Sequence, residues 1–446
     1  MSAVLSDRIV QEHAAASGGL PSSVVSAERR ATAIEALRAD GLPTTRDENW
    51  KYANLRVLEK NAFRSVARGS RAKVALSDLP PAVADYARYV YVDGIFAPDL
   101  SATGERAGVT VRSVASSSGT SAAAGASSTF VPAAQSIAAQ ASDLRFALLN
   151  EAFAVDGALV HAPKGADCAA CVEILFVATE SAQNAASYPR LELRVEANAR
   201  VGLIERHISV GDDNNFVNGA VQVHVGPGAQ VDHYRLQHAG ARATWFDTLT
   251  ATVEKGARYI VHQVGVGALS ARSTSRVQLI GPGAETGIHV VSLADGQQVH
   301  DGFALIEHIA PNTKSEQSVR GIAAGRARVA FNSKVVVRER AKGTDSQQSL
   351  RGLLAGTQAE IDVRPQLEIY TDDVRCNHGA TAGKLDDNML FYLLSRGIEK
   401  ETAQQLLKWV FLEDVVSRIA VPELRKQIEQ SLAGQMKETA ALKELL

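Results

Sequence analysis

The residue types best suited to chemistry come together at Cys376-Asn377-His378. In an extended segment a thiol and an imidazole two positions apart point to the same side. Both are ligand types that iron and zinc accept, and Gly379 lets the backbone approach a bound group closely. A tetrahedral metal site takes about four ligands, and an iron–sulfur cluster takes about four from protein. This stretch offers only part of such a set. A bound metal or cluster would therefore draw its remaining ligands from elsewhere, most simply from a second chain. The plainer alternative is an ordinary loop with a structural cysteine and a hydrogen-bonded histidine.

Other candidates are weaker. Cys168-Ala169-Ala170-Cys171 is a lone CxxC with neither a second pair nor a thioredoxin-like context, and it reads as small residues buried near a strand start. His262 and His289 each lie five residues past a turn alanine, which stacks them on neighbouring coils. They read either as a transient metal path or as a hydrogen-bonded surface ladder. Asp372, Asp373, Asp386 and Asp387 read as turn and helix-cap residues rather than as a pair of hydrolytic carboxylates. The chain contains no GxxxxGK[ST] phosphate loop, no GxSxG elbow and no HExxH.

The elements that must position Cys376 and His378 are repetitive. Turn alanines at 199, 229, 257 and 284 are 30, 28 and 27 residues apart, and each turn joins two alternating strands. Ser318-Val319-Arg320-Gly321 returns 31 positions later as Ser349-Leu350-Arg351-Gly352. A period of this size with two strands and no helix predicts a solenoid whose coils stack as parallel strands about 4.8 Å apart. A twin-sheet sandwich would not keep the period or the turn phase. The expected fold is therefore mainly β, a flattened right-handed parallel β-helix flanked by helical domains at both ends.

Around this core the pattern changes. Residues 22–60 read as helical, with Ser26 as a cap, a break at Gly41-Leu42-Pro43, and Trp50 and Tyr52 of Arg46-Asp47-Glu48-Asn49-Trp50-Lys51-Tyr52 tucked into a small core. Tyr89 to Phe96 alternates around Asp93-Gly94, a hairpin signal. Ser113 to Thr129 is nearly all Ser, Ala and Gly, which predicts a linker. After Asp386 the apolar spacing becomes helical, with a stop at Gly397 and a restart at Pro422. The expected domains are 1–112, a linker at 113–142, the β-helix at 143–385 and a helical domain at 386–446.

Composition narrows the function classes. With 47 basic and 49 acidic residues the net charge is −2, which gives no whole-chain attraction to nucleic acid or to an anionic membrane. Three cysteines make no disulfide framework, and the start lacks the charged-then-apolar pattern of a signal peptide. A cytoplasmic protein with no nucleic-acid or membrane partner is expected.

With these motifs in view, the chain resembles the SufB/SufD family of iron–sulfur cluster assembly proteins. The likeness rests on Arg46 to Tyr52, the Gly-Pro-Gly-Ala turns, the paired Ser-x-Arg-Gly motifs, and Pro365 through Gly383 running into Phe391-Tyr392-Leu393-Leu394-Ser395-Arg396-Gly397. It covers most of the chain, and the Trp-Tyr amino-terminal segment is more similar to the SufD branch. The resemblance implies a non-enzymatic scaffold paired edge to edge with the paralogue SufB, or with its own copy when alone. It implies that the SufC ATPase binds the 399–446 helices. It places His378 and Cys376 as ligands of a transient Fe–S cluster at the SufB–SufD seam, with no cofactor held stably by this chain alone. Two rivals belong to other classes: a carbohydrate-active β-helix enzyme and a purely structural protein-binding solenoid.

Overall fold

Left-handed backbone recurs at one corner of the chain, at Asn198, Gly228, Gly256, Gly283, Asn312 and Gly343, with φ between 57° and 72°. Only Gly and Asn adopt this region readily, so the corner chemistry repeats with the period. In the computed structural model, which describes residues 2–66, 73–116, 141–179, 184–212 and 214–436, each corner turns the chain from one sheet into another. Successive strands alternate between an eleven-stranded and a ten-stranded sheet, and almost all neighbours within a sheet are parallel. Most of the segment expected as a linker, 117–140, lies outside the described residues.

In-register stacking builds side-chain columns. Val223, Ala251, Val277, Ile306, Val335 and Leu367 follow one another across the first sheet and face the interior. Repeated apolar burial of this kind, worth about 25 cal/mol per Å² of apolar surface, is what holds one coil on the next. At its amino-terminal end the solenoid is closed by antiparallel strands. Asp93 and Gly94, with φ of 50° and 82°, turn Ala87–Val92 back into Ile95–Phe96. Thr110–Ser113 runs antiparallel to Ala158–Ala162. Both sheets thus extend into residues that the periodicity alone assigned to the amino-terminal domain.

Helices cover the outer faces. Helix α1 (Ser2–Ala16), α2 (Ala27–Asp40), α3 (Arg56–Lys60) and α4 (Arg145–Phe153) mark the amino-terminal lobe, and core residues of all four share a cluster with Phe216 and Phe246 of the first sheet. Ser26 caps α2 as expected, accepting from the Arg29 N–H. Trp50 is buried, stacked on Phe146 at 5.1 Å, with the Arg272 guanidinium 4.2 Å from its ring. Arg30 is buried and donates to the Ala152 and Ala154 carbonyls at the end of α4, both at 2.8 Å. The helical tract over 22–60 breaks at Gly41-Leu42-Pro43 as expected and resolves into α2, a short 3-10 turn and α3. Helix α1 was not expected from the sequence, although its Leu5, Ile9 and Val10 pack against the lobe's core. At the other end, α5 (Asp387–Ser395), α6 (Lys400–Val416) and α7 (Pro422–Gln435) follow the last strand, and α6 and α7 pack on the second sheet through Leu412, Val415, Leu424 and Ile428.

The interior is not uniformly apolar. Glu205 accepts from Arg235 at 2.8 Å, lies 2.7 Å from His207 Nε2 and 3.0 Å from His233 Nε2, and is fully buried. Burial pushes its carboxyl up, but Arg235 and the two imidazoles outweigh that and hold it well below the usual range. Arg235 also reaches Asp247 at 2.9 Å, so one guanidinium serves two buried carboxylates. Removing the shared cation leaves Asp247 without its guanidinium and Glu205 with imidazoles alone, and breaking such a buried pair costs about 3–5 kcal/mol. Arg235→Met should therefore lower the urea midpoint sharply. Lys314→Met, which breaks an exposed pair with Glu285, should leave the midpoint nearly unchanged. Equal shifts would show that the interior pair is not desolvated.

His308 supplies a second check. Its Nδ1 lies 2.8 Å from Thr313 Oγ1 and its Nε2 2.9 Å from Ser315 Oγ, and burial pushes its pKa down from 6.5 to about 3. Between these values the unfolded chain binds a proton that the folded chain refuses, so stability falls as the pH drops below 6.5 toward 3. The melting midpoint should be lower at about pH 5 than at about pH 7, and His308→Gln should narrow that difference. An unchanged difference would clear His308 of the effect.

Candidate functional site

The carboxy-terminal end of the solenoid is open. Cys376 and His378 lie on strand Val374–Gly383, which ends the ten-stranded sheet and is paired on one side only, with Thr344–Leu354. Strand Glu360–Ile369 ends the eleven-stranded sheet in the same way. No residue of these two strands is buried, whereas the coil beneath them is. Free strand edges expose unpaired N–H and C=O groups and are usually blunted by charge, proline or a covering element. Pro365 removes one donor from Glu360–Ile369, while Val374–Gly383 contains no proline and carries Arg375 as its one charged residue.

Cys376 and His378 share the interior-facing side of their strand. Cys376 is half-buried against the core and stacks in register on Ser346 and Ser315, which are 2.9 Å apart between hydroxyls. His378 is exposed and stacks on Gln348 and Gln317. Gln348 donates to Ser333 Oγ at 2.8 Å, and Ser333 donates to Gln317. The last coils thus replace the apolar interior with hydroxyls and amides beneath the thiol and imidazole. Burial and the nearby Asp345 push the Cys376 thiol up, against a backbone hydrogen bond from Ser346. A cation at the edge would favour its thiolate. Sequence reasoning missed this polar floor, although Ser315, Ser346 and Cys376 keep the 31- and 30-residue spacing of the repeat.

The other candidates separate from this end. Cys168 and Cys171 are buried free thiols in strand Asp167–Ala178, at a β-bulge between Cys168 and Val172, as small core residues would be. The bulge leans on Gly202, where a Cβ would come within 1.8 Å of the Ala169 carbonyl oxygen. Burial and the Cys168 thiol push the Cys171 thiol up, which disfavours the reactive thiolate. Asp386 accepts from the Asn388 and Met389 N–H groups as the cap of α5. His262 and His289 do stack on adjacent coils, but as rings 5.0 Å apart with no hydrogen bond from either Nδ1, so they form no hydrogen-bonded ladder. Among the described residues, Glu205, His207 and Asp247 are the one set of metal-type donors already converged, within 4.8 Å of one another. Arg235 stands among them and supplies the positive charge an ion would bring.

Beside the open end, α5 and α6 leave large apolar side chains uncovered. Phe391 is 72 % exposed and Val410 66 %, with Met389 and Tyr392 also exposed. Grouped apolar exposure on this scale marks an interaction surface. Among the described residues no helix is long and apolar enough to cross a membrane.

Comparison with known proteins agrees with this architecture. Residues 176–411 match the family described as SUF system FeS cluster assembly, SufBD core domain, and residues 13–174 match the SufBD protein N-terminal region. The iron–sulfur cluster assembly protein SufD of Escherichia coli K12 is 29% identical over 395 residues, covering 89% of each chain. A SufBD family protein of Synechocystis is 27% identical over 95% of this chain and 94% of its own. The chloroplastic protein ABCI7 of Arabidopsis thaliana is 26% identical over 57% of this chain and 54% of its own. Two family regions that together run through both sheets and the helices on either side leave one assignment: the chain belongs to the SufBD family of the SUF iron–sulfur cluster assembly system.

Proposed function

We propose that the chain is a non-catalytic scaffold subunit that pairs through its open carboxy-terminal strands with a SufB-type paralogue, and that a nascent Fe–S cluster is built at the seam. The observation that carries this reading is the position of Cys376 and His378 on an edge strand paired on one side only. A second solenoid stacked there would satisfy the edge N–H and C=O groups and would bring the missing ligands next to the thiol and imidazole. The cluster is the cargo of this site rather than a resident cofactor. The hydroxyl and amide floor beneath it offers donors to sulfide and thiolate, which an apolar coil would not. The uncovered face of α5 and α6 fits the second partner, the SufC ATPase, whose nucleotide cycle would move the helices relative to the edge. The relative from Escherichia coli, named as an assembly protein, agrees with a scaffold role.

His378 is exposed and takes no part in the packing of the core, so His378→Ala should fold and pair normally. Co-expressed with the paralogue and the ATPase, the variant complex should carry at least about tenfold less iron and acid-labile sulfide than wild type. Its melting midpoint should stay within a degree or so of wild type, since exposed substitutions change stability by about 0.5 kcal/mol or less. Wild-type iron and sulfide in the variant complex would end the ligand assignment. Failure of the two solenoids to co-purify would end the pairing.

A further inference from the structure

The segment from Arg46 to Tyr52 has no part in the thiol and imidazole pair or in the uncovered face of α5 and α6. It lies on the outer face of the first sheet, and three consecutive residues climb that face toward the free edge. Trp50 is buried with its ring 4.2 Å from the guanidinium of Arg272, on strand Ser270–Leu279, the fourth from the edge. Asn49 is buried and accepts at 3.0 Å from Nδ2 of Asn332, on strand Arg328–Val337, the second from the edge. Its own amide donates to the Asp143 carboxylate at 3.1 Å, which ties it to the short 3-10 turn leading into α4. Glu48 pairs at 2.9 Å with Arg364 of the edge strand Glu360–Ile369 itself, and Arg364 follows Asn332 in register. Tyr52 adds a contact at the start of the same two strands: the Arg328 guanidinium lies 6.0 Å from its ring and pairs with Glu360.

We propose that this segment is a splint, with Glu48 and Asn49 as positioning residues that fix the Glu360–Ile369 margin in the shape a docking solenoid meets. The inference rests on the pairing reading above. An edge strand is held by one ladder of hydrogen bonds, and a strand with no buried residue opens more readily than the coil beneath it. A margin that fluctuates must be ordered when a partner docks, and that ordering offsets part of the binding free energy. Trp50 and Asn49 are anchored in buried contacts, so the segment is rigid before it reaches the edge. Glu48 carries that rigidity the last step, to the strand that has a neighbour on one side only. The Glu48–Arg364 pair is largely exposed, so it contributes little to global stability. Its effect is local to the margin.

The test uses the full-length chain carrying Glu48→Arg, Arg364→Glu or both, with a purified SufB-type paralogue as the binding partner. In the isolated chain, hydrogen–deuterium exchange across Glu360–Ile369 should be about three- to fivefold faster in each single variant, the scale of one exposed ion pair. The double variant restores the pair with its charges exchanged and should return exchange to the wild-type rate, while Ser270–Leu279 should exchange as in wild type throughout. The dissociation constant for the paralogue should rise by about three- to fivefold in each single variant and recover in the double variant. Melting midpoints should stay within a degree or so of wild type, since exposed substitutions change stability little. A side chain that touched the partner directly would not be rescued by the exchange of charges. Unchanged exchange at Glu360–Ile369 in Glu48→Arg would overturn the proposal, as would a double variant that binds no better than the single ones. Failure of the wild-type chain to bind the paralogue would end the pairing reading and the positioning role with it, whereas wild-type affinity in Glu48→Arg would end the positioning role alone.

Discussion

A parallel solenoid satisfies the backbone of each coil with the coil that follows it, and this rule leaves the final coil without a neighbour. Everything notable about the carboxy-terminal end follows from that constraint. At the amino-terminal end the chain resolves the problem internally by turning Ile95–Phe96 and Thr110–Ser113 back against the first coils. At the other end it leaves Glu360–Ile369 and Val374–Gly383 uncovered and runs on into helices. Backbone groups are almost always paired where they are buried, and the carboxy-terminal strands, unlike the short antiparallel ones at the other end, leave a long row of such groups unpaired. The thiol and imidazole sit where the solenoid stops.

Buried charge divides the interior into two regimes. The columns headed by Val223 and its successors hold the coils together by area alone. The Glu205–Arg235–Asp247 cluster contributes little net stability, since desolvation offsets most of the Coulomb attraction. What it does is fix register. A coil that slipped by one residue would bury its carboxylates with no guanidinium to meet them. The hydroxyl and amide columns beneath Cys376 and His378 are a third environment, in which polar groups pair with one another and not with charge.

Much of the fold was legible in the sequence because parallel in-register stacking writes itself as a period. The Asn and Gly corners, the 31-residue return of Ser-x-Arg-Gly and the alternation within each strand all report the same geometry. Cys376 and His378 were legible as a pair because strand parity needs only their spacing. The rest depends on contacts between distant residues. Arg235 and Asp247 come from opposite sheets, and no local pattern announces that they meet. The expectation for His262 and His289 was right about stacking and wrong about bonding, because strand register sets which rings are neighbours while ring tilt depends on Gly287 and the helical turn above. Helix α1 was not read from the sequence, although Leu5 and Ile9 stand one helical turn apart and both face the core.

Pro365 has a directional effect. A proline is tolerated in an outermost strand where the missing N–H would have faced solvent, so whatever docks along Glu360–Ile369 meets a gap in its row of donors. Val374–Gly383 has no such gap. The two free margins of the barrel are thus unequal as templates: one resists annealing with further β-structure and the other accepts it. Growth by indefinite head-to-tail stacking of copies is discouraged on one flank. The flank left open to further β-pairing is the one that bears the sulfur and nitrogen donors.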